Sequence, residues 1–167
     1  MSNSQDQLAH LSTVSIGLLA DHPGLIPAVG QIRWQEWGHP PEPESLDWWV
    51  DVTARESGRE SLPVTWVAID QIGQAVGAVG LAEFDIEERR DRSPWVIGMI
   101  IAGQQRGRGI GSRLMGTLEA WAHQHGYLQL WVATGEAVHF YQKCGWEARE
   151  VIDRLSGERT SILTKLL

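Results

Sequence analysis

Apolar residues recur along the chain with two periods, every second position in some segments and every third or fourth position in others. Alternation is typical of strands, and spacing near 3.6 residues is typical of amphipathic helices. In chain order the patterns predict the elements β-α-α-β-β-β-α-β-α-β-β. The predicted strands cover residues 11–20, 64–69, 74–84, 94–102, 128–133, 146–153 and 160–166, and the predicted helices cover residues 23–37, 45–57, 112–125 and 136–143. We therefore expect one α/β domain with a mixed sheet over residues 11–167, after a flexible leader over residues 1–10.

Composition narrows the classes of function. The 167 residues carry a formal net charge of -7, whereas nucleic-acid binding usually needs a basic face. An acidic protein favours a positively charged partner such as an amine. The single cysteine, Cys144, excludes an internal disulfide framework and is typical of a reducing compartment, and no apolar run is long enough to span a membrane. We expect a cytoplasmic protein that binds neither nucleic acid nor membrane.

A glycine-rich turn follows the strand that ends near Ala102. Residues 106–111 read Arg-Gly-Arg-Gly-Ile-Gly and lead into the next helix. Glycines at alternate positions let the backbone approach a ligand closely and adopt positive φ. The free amides at a helix N-terminus carry partial positive charge, so the turn predicts a site for phosphate or pyrophosphate. Arg106, Arg108 and Arg113 are the expected cationic neighbours of that site.

The spacing of these glycines excludes two other phosphate-binding motifs. A P-loop needs Gly-x-x-x-x-Gly-Lys-Ser/Thr, and no lysine follows the glycines here. The dinucleotide fingerprint needs Gly-x-Gly-x-x-Gly, and here the third glycine comes one position too early. The turn therefore predicts a different phosphate-bearing ligand.

Two motifs resemble those of the GNAT acyltransferases. Residues 104–109 read Gln-Gln-Arg-Gly-Arg-Gly and are similar to the family signature Q/R-x-x-G-x-G/A. Residues 137–146 read Ala-Val-His-Phe-Tyr-Gln-Lys-Cys-Gly-Trp and are similar to the family segment A-x-x-F-Y-x-x-x-G-F. One helix and one strand separate the motifs, as in the family, and the element order matches from residue 11 onward. The resemblance implies the GNAT fold, a mixed central sheet of about six to seven strands flanked by about four helices.

The resemblance also implies a reaction, the direct transfer of an acetyl group from acetyl-CoA to a primary amine of a small molecule or a peptide N-terminus. In such a protein the strand before the turn binds the pantetheine arm, the turn cradles the pyrophosphate, and Tyr141 protonates the leaving thiolate as general acid. A phenol with a pKa of about 10 is protonated at neutral pH, which suits that role. The implied acetyl-CoA site consists of Met99, Ile100, Ile101, Arg106, Gly107, Arg108, Gly109, Ile110, Gly111, Ser112, Thr134 and Tyr141.

Three positions depart from the family pattern. Thr134 stands where many members have asparagine, and Gly103 replaces the proline usual at the end of the fourth strand. Gln129 stands where the acetyltransferases of ribosomal-protein N-termini carry a catalytic glutamate, which argues against that branch. The missing carboxylate keeps a second hypothesis open, a non-catalytic sensor or regulatory module that binds acyl-CoA.

The acceptor amine needs a general base, because an ammonium group must lose a proton before it attacks. Glu83 and Asp85 lie at the end of the third predicted strand, where they are expected to reach the cleft directly or through water. Glu36 and Trp37 lie on a helix that walls the acceptor site in this family, and an acidic–aromatic pair attracts a cation. The candidate acceptor residues are Glu36, Trp37, Glu83 and Trp131, and Glu83 is also the candidate base. The sequence indicates no metal site. Proteins of this fold often dimerise by pairing the edge strands of two copies, so the resemblance predicts a homodimer.

Overall fold

The computed structural model describes residues 13–38 and 44–167. The predicted leader over residues 1–10 lies outside the described residues. Within them, strands and helices follow the predicted order: β1 Ser15–Leu18, α1 Ile26–Trp37, α2 Leu46–Arg55, β2 Val64–Ile69, β3 Ala75–Ala82, β4 Trp95–Ile101, α3 Ile110–Gln124, β5 Gln129–Thr134, α4 Val138–Lys143, β6 Glu147–Asp153 and β7 Arg159–Leu166.

The first helix begins later than the pattern predicts. The sequence favours a start near Pro23 with Asp21 as the cap, whereas Pro23–Leu25 forms a separate 3₁₀ turn and α1 begins at Ile26. The prediction of Asp21 as a cap is wrong, because Leu25 is the N-cap of α1 and Asp21 lies in an earlier 3₁₀ turn, Leu19–Asp21. The Asp21 carboxylate forms an ion pair with Arg59 instead.

The second helix begins where the sequence predicts. The Ser45 hydroxyl oxygen accepts a hydrogen bond from the Trp48 amide at 3.1 Å. This bond satisfies one of the free amides in the first turn of α2 and fixes its N-terminus. Trp49 and Thr53 follow one turn apart, and the Thr53 hydroxyl donates to the Trp49 carbonyl at 2.8 Å. Thr53 is completely buried on the side of α2 that meets α1.

The strands form one mixed sheet in the order β1-β2-β3-β4-β5-β7-β6. Neighbouring strands are antiparallel except β4 and β5, which run parallel. Parallel neighbours need a crossover connection, and α3 supplies it. Seven strands and four α-helices in the described residues confirm the predicted fold class.

Alternating residues of the central strands bury the two faces of the sheet. Trp66 and Val79 pack in the same cluster as Leu114 of α3. Val67 and Ala78, one position away in each strand, pack with Val29 of α1 in a different cluster. Because successive strand residues point to opposite faces, α3 and α1 cover opposite sides of the sheet.

Strands β4 and β5 separate along their length, and this separation positions the site. They pair at Trp95↔Trp131 and Val96↔Val132, so the rest of β4 has a free edge toward β5. Just beyond these pairs, the register of β3 against β4 shifts around Gly98. Gly98 has a φ of +57°, which glycine adopts without steric cost. A bulge bends its strand, so β4 leaves β5 at this point and runs into the glycine-rich turn.

Candidate active site

A cleft of about 520 Å³, here called the first cleft, lies where β4 enters the glycine-rich turn. Its walls come from the end of β4, the turn, the start of α3 and part of α4. Nine of the twelve residues that the sequence assigns to acetyl-CoA line it: Met99, Ile100, Ile101, Arg106, Gly107, Gly109, Ile110, Gly111 and Ser112.

The turn has the backbone geometry of an anion site. Gly107 and Gly109 have φ angles of +77° and +78°. Gly109 is the N-cap of α3, and no side chain of the described residues caps this helix. The amides of its first turn are therefore available to a bound anion, and the residues present fit a pyrophosphate group. Gly111 serves packing, because an added Cβ would lie 3.0 Å from the Phe140 ring.

Arg106 connects the turn to two neighbouring elements. Its Nε donates to the Ile101 carbonyl at 3.1 Å, which ties the turn to the end of β4. Its Nη2 lies 3.0 Å from Glu36 Oε2, which ties the turn to α1. Both side chains of this ion pair are about half exposed, so the guanidinium can exchange partners with a bound anion at modest cost.

The two other arginines predicted near the turn differ in position. Arg108 stays beside it, with Nη1 3.4 Å from the Gln105 side-chain oxygen, but does not line the first cleft. The prediction for Arg113 is wrong: it donates to the Val14 carbonyl at 2.7 Å and lines a groove between β1 and α3. Arg113 lies one turn into α3, where its long side chain extends toward β1 and not toward the glycine-rich turn.

We expect Gly109→Ala to weaken acetyl-CoA binding by about tenfold, because an L-residue in the left-handed region costs roughly 1–2 kcal/mol. Relaxing that strain would turn the first amides of α3 away from the anion. Calorimetric titration with acetyl-CoA measures the change in Kd. Gly73→Ala is the matched control, because Gly73 has a φ of +85° in the β2–β3 turn, where nothing crowds an added Cβ. Equal affinities of Gly109→Ala and wild type would contradict the anion site.

A second cleft, of about 920 Å³, adjoins the first. Glu36 and Trp37 line both clefts, and Ile97 and Gly98 bring β4 into the wall of the second. The excess of carboxylates over guanidinium groups favours a cationic ligand. The charged residues that line the second cleft are Glu36, Glu56, Asp85, Glu158, Arg33 and Arg154.

Arg33 of α1 is buried beside the bulge of β4, with 1% of the residue exposed. Its Nη1 donates to Glu56 Oε1 at 2.9 Å and to Thr53 Oγ1 at 3.2 Å. Burial lowers the pKa of the Arg33 guanidinium, and Glu56 offsets part of that effect. The other edge of the guanidinium faces Gly98, where an added Cβ would lie 2.6 Å from Nη2. Arg33 thus ties α1 to α2 and supports the bulge.

Arg33 does not stand out in the sequence as a site residue, because arginine on a helix usually faces water. Its spacing carries a signal that could have found it. Arg33 follows Val29 by four positions, and residues four apart share a helix face. Val29 is completely buried in the core, so the same face places Arg33 inside.

Tyr141 is buried next to Phe140, which lines the first cleft. Its ring makes edge contacts with Phe140 and Trp146, at centroid distances of 5.0 and 5.8 Å. Burial raises the pKa of the Tyr141 phenol well above its ordinary value, and Cys144 and Asp85 add to the rise. The phenol is therefore protonated at neutral pH, the state that a general acid requires.

Thr134 lies at the end of β5 and does not line either cleft. Its hydroxyl oxygen accepts a hydrogen bond from the Ala137 amide at 3.0 Å, just before α4. The hydroxyl hydrogen is still able to donate to another group. Contact between Thr134 and the pantetheine arm stays a prediction.

The structure separates the predicted acceptor residues. Glu36 and Trp37 line both clefts, whereas Glu83 is exposed and lines neither. Trp131 also lies outside both clefts and packs against Trp95, with 6.2 Å between ring centroids. Asp85 lines the second cleft. Because β3 ends at Ala82, strand alternation no longer decides which of the two carboxylates faces the cleft.

Three residues line the first cleft but belong to neither the predicted acetyl-CoA site nor the predicted acceptor site. All three lie in the two motifs that resemble the family pattern, and motif membership is the signal that could have found them. They are Gln105, Ala137 and Phe140.

The described part of the chain shows neither a metal site nor a membrane-spanning helix. No group of three His, Cys, Asp or Glu side chains in it is placed to hold one ion. None of its helices is both long and apolar enough to cross a bilayer.

The separated strands thus carry a site with two halves, a turn with the backbone geometry of an anion site in one cleft and an acidic surface in the other. Residues 26–146 match the sequence profile of the acetyltransferase (GNAT) family. The match covers well over half of the chain, which therefore belongs to this family. Acetyl-CoA is the co-substrate of the family.

Individual relatives are more distant. The chain is 32% identical over 95 residues to N-alpha-acetyltransferase 80 of Mus musculus, a match that covers 57% of this chain and 30% of the mouse protein. An aminoglycoside 6'-N-acetyltransferase complexed with coenzyme A has a TM-score of 0.75 at 16% identity, over 91% of this chain and 96% of that chain. A spermidine N-acetyltransferase chimera from Vibrio cholerae and hSSAT has a TM-score of 0.69 at 17% identity, over 92% and 95%. At these identities the solved structures establish the fold alone.

Proposed function

We propose that this chain transfers an acetyl group from acetyl-CoA directly to a primary amine of a small molecule or a peptide N-terminus. One observation carries the proposal: the two clefts meet at Glu36 and Trp37, beside the separated ends of β4 and β5. Membership of the GNAT family supports acetyl transfer. The acidic second cleft supports a cationic acceptor.

The first cleft suits acetyl-CoA along its length. Beyond Val96 the free edge of β4 offers backbone N–H and C=O groups to the pantetheine arm, as a sheet edge does to an added strand. The uncapped amides of α3 would hold the pyrophosphate, with Arg106 and Arg108 adding positive charge. A backbone amide near Met99 would polarise the thioester carbonyl.

The second cleft suits an ammonium group. Trp37 and Trp49 lie 5.9 Å apart between ring centroids and form an aromatic wall beside Glu36. Carboxylates and aromatic faces attract a cation by charge and by cation–π interaction. The relatives are named for aminoglycoside, spermidine and N-alpha-acetyl transfer, which supports an amine acceptor without selecting one.

A panel of amines tests the proposal by release of the CoA thiol. The panel contains a polyamine, an aminoglycoside, amino acids and peptides with free N-termini. We expect saturable thiol release with at least one of them and a higher KM for acetyl-CoA in Gly109→Ala. Tight calorimetric binding of acetyl-CoA with no thiol release against any amine would overturn the proposal and favour the acyl-CoA sensor.

We also propose that the protein is cytoplasmic and forms a homodimer. The single cysteine supports a reducing compartment such as the cytoplasm. The strands β1 and β6 are the edges of the sheet, and either edge offers unpaired backbone groups to a second copy. This supports the predicted homodimer.

A further inference from the structure

We propose that Asp85 is the general base that takes the proton of the acceptor amine in the second cleft. The assignment rests on the proposed function and names the residue that performs one step of it. The general base is therefore Asp85 and not Glu83, which lies two positions earlier and lines neither cleft.

Position is the first argument for Asp85. It lines the second cleft together with Ile97 and Gly98, the part of β4 that leaves β5. Asp85 is exposed, so a ligand in the cleft can reach its carboxylate. Its negative charge also acts on the Tyr141 phenol and raises the pKa of that group. Tyr141 lines neither cleft but lies next to Phe140 of the first cleft, so the candidate acid and the candidate base stand within electrostatic reach of each other.

Electrostatics is the second argument. Asp85 is open to solvent, but the protein atoms around it in the concave second cleft limit the hydration of its carboxylate and raise its pKa to about 6. Arg154 works against this rise and Glu56 adds to it. A general base is most effective when its pKa lies near the working pH, because it is then ionised and still basic. The charged groups that face Asp85 across the second cleft are Arg33 and Glu36 of α1, Glu56 after α2, and Arg154 and Glu158 between β6 and β7.

The other carboxylates of the second cleft are less suited. Glu56 accepts a hydrogen bond from Arg33 at 2.9 Å, inside the structural ion pair. Burial raises the pKa of Glu56 despite the opposing effect of Arg33, but this carboxylate cannot leave the buried guanidinium without leaving that charge unpaired. Glu36 lies 3.0 Å from Arg106 of the glycine-rich turn, so its carboxylate faces the expected pyrophosphate site.

Asp85 and Tyr141 account for the proton transfers of the acetyl-transfer reaction. Asp85 takes one proton from the ammonium group, which frees the nitrogen lone pair. That pair forms the C–N bond, the C–S bond breaks with its electrons on sulfur, and Tyr141 protonates the thiolate. The second proton released by the nitrogen returns to the Tyr141 oxygen, and Asp85 passes its proton to water. The products are the acetamide and the free CoA thiol.

Asp85→Asn tests the role with a side chain of nearly the same shape. We expect kcat/KM for the accepted amine to fall about 10²–10⁴-fold. Wild-type activity should fall as the pH drops through about 6, because protonated Asp85 accepts no proton, and the variant should lose this break. Asp91→Asn is the matched control, an exposed aspartate in the same loop, and Glu83→Gln compares the two candidates directly.

Two measurements separate chemistry from folding. A carbon-13 NMR titration of the free protein should show the Asp85 carboxyl titrating near pH 6, well above an ordinary aspartate at about 3.9. Thermal unfolding at pH 8 should show a higher Tm for Asp85→Asn, because the variant removes a desolvated charge. Unchanged activity in Asp85→Asn, or a loss in Glu83→Gln alone, would overturn the assignment while the proposed function stands. Absence of wild-type turnover with every amine would refute both.

Discussion

Tyr141→Phe is expected to lower kcat by about 10²–10⁴-fold, with little change in the KM for acetyl-CoA. The substitution removes the hydroxyl alone, and the ring keeps its edge contacts with Phe140 and Trp146. Without a proton donor the thiolate must leave as an anion beside a buried, poorly solvated group. The loss therefore falls on the chemical step and spares the binding of the pyrophosphate at the turn.

Steady-state kinetics at saturating acetyl-CoA measures the change. Tyr127→Phe is the matched control, since the chain has two tyrosines and the other one stacks near Trp121, with 6.4 Å between ring centroids. We expect that control to keep wild-type turnover. An unchanged kcat in Tyr141→Phe, or an equal fall in both variants, would remove Tyr141 from the mechanism.

The pKa shifts assign different protonation states to the two candidate catalytic groups. Burial raises the pKa of Tyr141 above its ordinary value of about 10, so the acid form persists across neutral and mildly alkaline pH. The pKa of Asp85, raised to about 6, leaves the base form in excess at neutral pH. Environments that separate two titratable groups in this way are typical of acid–base pairs. Between about pH 7 and 9, activity should therefore not fall through ionisation of either group.

The first cleft could be predicted because its signals are local. Glycines at 107 and 109 need positive φ, and the turn between a strand and a helix follows from hydrophobic periodicity alone. The end of β4 is predictable for the same reason, since Met99 and Ile101 continue the apolar strand into the turn. The sequence therefore predicts the first cleft, because local backbone conformation forms most of its wall.

The second cleft could not be predicted in the same way because distant elements build it. Whether Glu83 or Asp85 faces the cleft depends on how the chain leaves β3, which no period specifies. Arg154 and Glu158 reach the cleft from the connection between the last two strands, about 70 residues further along the chain. Trp131 lies two positions from Gln129 on β5, yet its half-buried ring packs against Trp95 and Arg92 outside both clefts. Tertiary packing decides these positions.

Gly98→Ala is expected to lower the free energy of unfolding by about 2–5 kcal/mol and kcat/KM by about 10²-fold. Alanine at a φ of +57° is strained, and its Cβ would lie 2.6 Å from Arg33 Nη2 and 2.9 Å from Cζ. Arg33 has little freedom to withdraw, because Glu56 and Thr53 hold it in the core. The clash is therefore relieved by a movement of β4. A shift of about 1 Å in this strand misplaces the thioester relative to the amine.

Urea unfolding and steady-state kinetics measure the two effects. Gly116→Ala in α3 is the control, because nothing lies within 4 Å of an added Cβ there and alanine favours a helix by roughly 0.5–1 kcal/mol. A double-mutant cycle then isolates the cause: in an Arg33→Met background the clash is relieved, so Gly98→Ala should cost only the backbone strain of roughly 1–2 kcal/mol. Equal costs in both backgrounds would show that the bulge needs glycine for its φ angle and not for its contact with Arg33.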